Sequence, residues 1–406
     1  MEPLPLTGLD PGEELAFTRA VMRHFHEDAD SDAALEPWAR GLPVDRALAV
    51  RDRDAIVANF LVVPTDISVP GGGRLPCAAV TAVGVAQTHR RRGLLRRMMT
   101  AGLDRAVAEG EPVAALYASE TAIYPRFGFG PSAPSHALRA EVREVRFRDP
   151  VDDALVRAAT PSEAITTARA VYDRVRSERP GGVGRGTEGW RIHLEDDPVA
   201  WRDGATARRL VHVPDRGYAT YRIVERYDDG ALPAGEVRIE ELVASDVEAE
   251  QALWQHVLGI DLCRTALAAH RPVDDALPWL VVDPLRLRPR VAYPMYTRLL
   301  DVASCLAART SAHHGEVTLH VVDDSRDQTG TYRWEGGPDG GRCRRVAEVT
   351  PDLSLSVQTL AALWLGGATA IQLHRGRRID EHATGAVARL DGLLATPLAP
   401  WTPWEF

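Results

Sequence analysis

Two rhythms of apolar residues alternate along this chain, and the places where one gives way to the other outline its parts. Ile56 to Val63 and Ala78 to Val85 are rich in β-branched residues and read as strands flanking the turn Gly71-Gly72-Gly73. Leu94, Leu95, Met98, Met99 and Leu103 then recur at helical spacing, which predicts a helix over 94–108. An unbroken apolar run, Val113 to Ala118, predicts another buried strand. Strand, turn, helix, strand is a βαβ unit, and it fills roughly the first 145 residues.

A second stretch, from about 150 to 290, repeats that outline. Tyr218 to Tyr227 and Glu236 to Ala244 alternate as strands, and Val247 to Leu262 reads as a helix with Leu253, Val257 and Leu258 on its apolar face. The proline-rich segment from Pro278 to Pro294 marks its end. A third stretch offers strands at Val317–Val322, Thr331–Trp334 and Leu353–Val357, a turn at Gly336–Gly341, and helical spacing from Val357 to Trp364. The chain closes on Pro400-Trp401-Thr402-Pro403-Trp404-Glu405-Phe406, aromatic and proline-stiffened where frayed ends are usually polar. Such an end predicts a docked segment.

The first strand-to-helix turn carries the chemistry. It reads Val83-Gly84-Val85-Ala86-Gln87-Thr88-His89-Arg90-Arg91-Arg92-Gly93-Leu94-Leu95-Arg96-Arg97. Amides at a helix start point outward unpaired, and the helix dipole favours negative charge there. Gly93 removes a side chain that would hold a ligand away from the backbone. Main chain and arginine thus form a candidate pyrophosphate cradle; the alternative is a solvated basic helix start. A mononucleotide P-loop would end in Gly-Lys-Ser/Thr and a dinucleotide fold would show three spaced glycines, and neither is present. The corresponding turn of the second stretch, Ala244-Ser245-Asp246-Val247-Glu248, is acidic and lacks glycine. It cannot cradle phosphates, so the second stretch reads as a decayed duplicate of the first.

Composition narrows the field further. A chain of 406 residues with 45% apolar content is sized for two or three globular domains. No apolar stretch is long enough to span a bilayer, and Met1-Glu2-Pro3 begins no signal peptide. Cys77, Cys263, Cys305 and Cys343 are scattered without paired spacing, which predicts no metal site, no disulfide framework and a reducing cytoplasm. All 48 basic residues are arginine, so Schiff-base lysine chemistry and P-loop phosphotransfer are excluded. A net charge of −9 argues against nucleic acid and favours a cationic acceptor.

Arg90-x-x-Gly93-x-Leu95 resembles the acyl-CoA signature of the GNAT superfamily of N-acetyltransferases, save for the small residue usual at the last position. The likeness sharpens at Ala118-Ser119-Glu120-Thr121-Ala122-Ile123-Tyr124-Pro125-Arg126-Phe127-Gly128-Phe129-Gly130-Pro131. With the His-Arg-Arg-Arg-Gly-Leu-Leu turn before it, this segment is similar to the Eis (enhanced intracellular survival) family, which acetylates aminoglycosides at several amines. The resemblance spans the whole chain. It implies an α+β protein with a catalytic GNAT domain at 1–147, a degenerate GNAT-like domain at 148–291, and a sterol-carrier-protein-like domain at 292–406.

What the resemblance implies for the site follows residue by residue. Tyr124 matches the general acid toward the CoA sulfur, and the α-carboxylate of Phe406 matches the base that relieves the acceptor amine of its proton. Val83, Gly84 and Val85 match the strand whose backbone pairs with pantetheine. Arg91, Arg92, Gly93, Leu94, Leu95 and Arg96 match the pyrophosphate turn, and Ser119 and Glu120 the end of the second strand that touches acetyl-CoA. Taken singly, a tyrosine such as Tyr124 is more often a packed aromatic than an acid, and a terminal carboxylate such as that of Phe406 is almost always solvated; their joint occurrence with the turn reverses that. Pro125 is expected to push Tyr124 toward extended backbone. Phe25, Asp28 and Trp38 mix carboxylate with aromatic in the region that covers the acceptor, and Glu405 adds charge beside the terminus; a solvated helix face is the other reading. The acceptor implied is a polycationic small molecule, an aminoglycoside first. A polyamine, a protein lysine, or a lipid-binding scaffold with a vestigial transferase remain open. A cytoplasmic homohexamer that binds neither membrane nor nucleic acid completes the expectation.

Overall fold

The computed structural model describes residues 4–28 and 31–406; residues 1–3, where the leader was sought, and residues 29–30 lie outside it. Twelve described strands form one mixed sheet. In chain order they are β1 Leu6–Thr7, β2 Ala47–Asp52, β3 Ala55–Ser68, β4 Arg74–Val85, β5 Val113–Tyr117, β6 Gly130–Glu141, β7 Arg157–Ala158, β8 Arg209–Val213, β9 Gly217–Val224, β10 Gly235–Ala244, β11 Cys263–Pro272 and β12 Arg290–Leu299. Their spatial order is β1-β2-β3-β4-β5-β12-β6-β11-β10-β9-β8-β7. Helices α1 Glu14–His24, α2 Asp32–Arg40 and α3 Leu94–Ala108 belong to the first half; α4 Pro161–Glu178, α5 Thr187–Leu194 and α6 Val247–Leu258 belong to the second.

The two halves share this sheet instead of merely touching. β12 lies between β5 and β6, antiparallel to both, with Met295 opposite Tyr117 on one side and Ala133 on the other. β6 in turn pairs with β11 of the second half, Ala266 opposite Ala140. The break expected at 291 therefore falls inside β12. The proline-rich segment that marked an end instead holds the turn Pro284–Leu287 and runs directly into this strand. β6 escaped the sequence pattern because Pro131 and Pro134 interrupt it, and its pairing with β12 shifts register at those points. The helix expected to reach Leu262 stops at Leu258, where Gly259 caps it.

Residues from Gly315 onward form a separate five-stranded sheet, ordered β15-β14-β13-β16-β17. Its strands are β13 Gly315–Val322, β14 Gly330–Gly336, β15 Arg342–Val346, β16 Leu353–Ser356 and β17 Ile379–Glu381. Trp334 and Trp364 are fully buried at its centre, with Leu360, Leu363 and Leu390 packed around them. Helix Val357–Trp364 lies against β6 and β12 and locks this domain to the seam between the halves. Two glycines allow that approach: a Cβ on Gly130 would stand 2.0 Å from the Gln358 carbonyl, and one on Gly367 would stand 2.1 Å from that of Ser132.

Neither carbonyl can swing aside as a side chain would. Gly130→Ala is therefore expected to destabilise the protein by at least about 1–3 kcal/mol, the usual range for overpacking. A denaturant midpoint equal to that of the parent protein would show that the third domain can draw back without loss.

Candidate active site

β4 and β5 start as parallel neighbours and then part. Their register runs from Cys77 opposite Val113 to Val80 opposite Leu116, and there it stops. Beyond that point β5 is held only on its far side, with Tyr117 opposite Met295 and the Ala118 amide donating to the Pro294 carbonyl at 2.9 Å. β4 runs on to Val85 paired only with β3, so Val83, Gly84 and Val85 line an open slot. Among the described residues no hydrogen bond joins this part of β4 to the segment after Leu116.

A bulge aims the backbone of β4 here. Its register against β3 shifts between Asn59 and Leu61, and Ala82 takes φ of 51°. A non-glycine residue in that region costs about 1–3 kcal/mol and persists only where neighbours enforce it. Asn59 is the enforcer: fully buried, its Nδ2 donates to the Ala82 carbonyl, and its Oδ1 faces His24 Nδ1 at the end of α1. Since Oδ1 can only accept, His24 carries its proton on Nδ1. Burial lowers the His24 pKa and holds the ring neutral. A lone polar residue in the run Val57-Ala58-Asn59-Phe60-Leu61 was the sequence signal for this device.

The basic turn follows directly. Arg91 and Gly93 take left-handed φ of 63° and 75°, and α3 begins at Leu94. A Cβ on Gly93 would meet no protein atom within 4 Å, so the turn is open there, and its left-handed backbone favours glycine as well. The first intrahelical bond runs from the Arg97 amide to the Gly93 carbonyl at 3.1 Å, which leaves the amides before it unpaired within the helix. Arg90, Arg91, Arg92 and Arg96 are exposed. Among the described residues none of the four pairs with a carboxylate; Arg92 reaches only the Thr88 carbonyl, at 3.2 Å. Leu94 is buried and Leu95 packs partly into the same core.

Past the slot, Ser119 and Glu120 are exposed on the bend after β5. Tyr124 opens a short 3-10 turn, Tyr124–Phe127, so the expected extended backbone at this residue is not found. The glycine at 128 closes the turn with φ of 85° and outweighs the push of Pro125. The Tyr124 ring is 8% exposed and meets Phe129 edge-on at 6.2 Å. Burial, and then the charge of Glu120, raise its pKa, so it stays a neutral phenol with a proton to give.

The terminal segment docks at the same strand end. The Phe406 ring lies 5.4 Å from Tyr117, edge-on, and 5.9 Å from Trp404. Glu405 Oε1 is 3.1 Å from His270 Nε2 on β11, a contact that lowers the Glu405 pKa. The acceptor candidates are spread out. Phe25 and Asp28 are exposed just past α1, while Trp38 leans on Trp201 at 5.6 Å. No hydrogen bond, ion pair or ring contact among the described residues joins these three to Glu405. Tyr117 and His270, which the sequence did not single out, are what the tail rests on.

In the second half the equivalent slot is closed. β10 and β11 are also parallel, also part after Ile239 opposite Ala268, and β10 also carries a one-residue bulge against β9. Leu242, opposite Ala219, is the second paired residue past its bulge, as Val85, opposite Ala58, is past the first. Its carbonyl is taken by the Arg271 guanidinium, which also binds Asp275 at 2.6 Å and Glu250 at 2.8 Å. At the helix start Asp246 accepts from the Ala249 amide at 3.0 Å, so a carboxylate already occupies the anion position.

Comparison with known proteins agrees with this layout. Models described as acetyltransferase (GNAT) domains match residues 9–132 and 181–299, and a sterol carrier protein domain matches 302–403. The chain is 36% identical over 396 residues to an uncharacterized N-acetyltransferase of Streptomyces avermitilis, covering 95% of each. It is 33% identical over 384 residues to the N-acetyltransferase Eis of Mycobacterium tuberculosis, covering 91% of each. This chain belongs to the Eis family of GNAT N-acetyltransferases. The crystal structure of Eis1 from Mycobacterium abscessus superposes with a TM-score of 0.84 at 29% identity, with all of both chains covered. Like other Eis-family members the protein is an acetyltransferase, and GNAT domains work with acetyl-CoA as donor. No helix among the described residues is long and apolar enough to cross a membrane.

The neutral His24 fixes the sign of one pH effect. Its native pKa lies below the ordinary 6.5, so its contribution is intact above 6.5 and is lost as pH falls through that value toward the native one. His193 and His256 are lowered by burial as well and act in the same direction. The histidines should make stability drop between about pH 7.5 and about 5.5, against an opposite contribution from Glu250, whose pKa burial raises to about 7, and the histidine share should be smaller in His24→Gln. Equal slopes in denaturant titrations of the two proteins would mean that His24 titrates alike in the native and unfolded states.

Proposed function

We propose that the protein transfers acetyl groups from acetyl-CoA, bound in the open slot of the first half, to primary amines of a polycationic small molecule, an aminoglycoside first. The contrast between the two slots carries this reading: one is open and leads to an uncompensated arginine turn, the other is filled by Arg271 and an acidic cap. On this reading the backbone of Val83, Gly84 and Val85 pairs with the pantetheine arm. Arg91, Arg92 and Arg96, with the amides of Gly93, Leu94 and Leu95, hold the pyrophosphate, and Ser119 and Glu120 flank the thioester end. Tyr124, a neutral phenol, protonates the departing thiolate.

The acceptor amine must lose a proton first, because a free amine near pKa 10 is mostly charged at neutral pH. The Phe406 α-carboxylate takes that role, held by its own ring against Tyr117. Glu405, Asp28 and the exposed rings of Phe25 and Trp38 supply the anionic and aromatic wall a polycation needs. The assembly is a cytoplasmic homohexamer, as the family resemblance implies. Trp279, Leu285 and Val291, respectively 83%, 80% and 57% exposed, offer an apolar face for subunits to cover. Neither nucleic acid nor membrane enters this scheme.

Thiol release from acetyl-CoA, measured against a panel of aminoglycosides, polyamines and lysine peptides, tests the substrate class. Turnover on lysine peptides alone would overturn the small-molecule acceptor. Arg91→Ala with Arg92→Ala should weaken acetyl-CoA binding at least about tenfold, more at low salt, since charge-assisted phosphate contacts are lost. Unchanged calorimetric affinity would remove the turn from the cofactor site.

Tyr124→Phe, and separately amidation of Phe406, should each cut turnover by about a hundred- to ten-thousandfold with acetyl-CoA affinity nearly unchanged. The combined change should be far from additive, because both groups serve one transfer. Full activity of the amidated protein on every amine would make that carboxylate a bystander. Sedimentation of Trp279→Glu checks the assembly: it should fall apart where the parent protein is hexameric.

A further inference from the structure

Two buried guanidiniums of the second half, Arg185 and Arg271, carry the terminal tryptophans. Trp401 lies over Arg271, the residue that fills the slot, at 5.4 Å and over Arg179 at 6.0 Å. Its indole donates to the His270 carbonyl at 2.6 Å, and its backbone amide to that of Pro180 at 2.9 Å. Trp404 lies 4.7 Å from the Arg185 guanidinium and donates to the Tyr172 hydroxyl at 3.1 Å. Arg185 is itself caged by Trp190 at 4.4 Å and Tyr172 at 5.1 Å. Its charge is met by Glu241 through two contacts of 3.1 Å. Glu241 is the first paired residue past the β10 bulge, the place that Gly84 holds in β4 beside the open slot.

So the strand positions that would have held a second cofactor now hold the tail. We propose that the sealed slot of the second half is a clamp for the chain's last residues, with Arg185 and Arg271 as positioning residues for the Phe406 carboxylate; this rests on the assignment of that carboxylate as base. The chemistry favours arginine at both places. A planar guanidinium can satisfy a carboxylate along its edge and carry an aromatic ring on its face at once. The arrangement also explains why Arg185 stays charged in a site without exposure: Glu241 pairs its edge while three rings cover its faces. Catalysis gains from such fixation because misplacing a reacting group by about 1 Å can cost about a hundredfold in rate.

Trp404→Leu separates the clamp from the fold, since it leaves the Arg185–Glu241 pair intact. Two quantities are read on the full-length protein: the rate at which carboxypeptidase frees Phe406 and Glu405, and turnover with the fastest amine of the panel. The clamp predicts release at least about tenfold faster, because cleavage follows the population of the open tail. Turnover should fall at least about tenfold, with acetyl-CoA affinity within about twofold, and Trp404→Phe should recover most of both. Arg185→Lys, which keeps the charge but loses the flat face, should behave like Trp404→Leu. Unchanged release in Trp404→Leu overturns the clamp whatever happens to turnover. Faster release with full turnover rejects the base at Phe406, and with it any positioning role, while leaving the docking itself in place.

Discussion

The structure depends on where β5 finds its hydrogen bonds. A strand that loses one neighbour stays in place only if its other edge is held. β12 pairs that other edge of β5 along its whole length, from Leu299 opposite Val113 to Met295 opposite Tyr117, and so anchors β5 where β4 diverges. The slot is thus held open from outside, by a strand encoded more than 170 residues after β5. β12 also binds β6, β6 binds β11, and helix Val357–Trp364 packs across both. One seam therefore carries the open slot of the first half, the junction of the halves and the seat of the third domain.

The duplicated halves diverged where chemistry would be expected to part them. Both keep the parallel pair, the divergence and the bulge, which are features of backbone pairing. They differ in the side chains around the gap. Gly84 and Asn59 keep the first gap free and its bulge aimed, while Leu242 and Arg271 seal the second. A buried guanidinium in the closed gap needs full compensation, and Asp275, Glu250 and the Leu242 carbonyl provide it.

Much of this could be read from the residues. The apolar rhythm found β3, β4, α3 and β5, and with them the place of the basic turn; the acidic turn at 244–248 told the second half from the first. Family motifs carried Tyr124 and the terminus. What stayed hidden was non-local pairing. Neither β6, broken by prolines, nor β12, begun inside a proline-rich stretch, shows its partner in its own pattern. The interleaved sheet was invisible for that reason. The left-handed backbone of Gly93 went unnoticed beside the open space that singled it out, and Tyr124 was expected extended where it opens a 3-10 turn that a left-handed glycine closes. Asn59, Tyr117, His270 and Arg185 are ordinary residues until the fold gathers them.

The interleaving also dictates an order of events during synthesis. When β6 leaves the ribosome, both its edge and that of β5 lack the strand meant to lie between them. About 150 residues must follow before Arg290 appears, which at typical elongation rates is about 7–30 s. Until β11 and then β12 are made, the nascent first half carries unsatisfied edges on β5 and on both sides of β6, the kind of surface on which chains pair wrongly with one another. Its completion waits on a strand from beyond the second half, so the first unit to be translated is not the first that can finish folding.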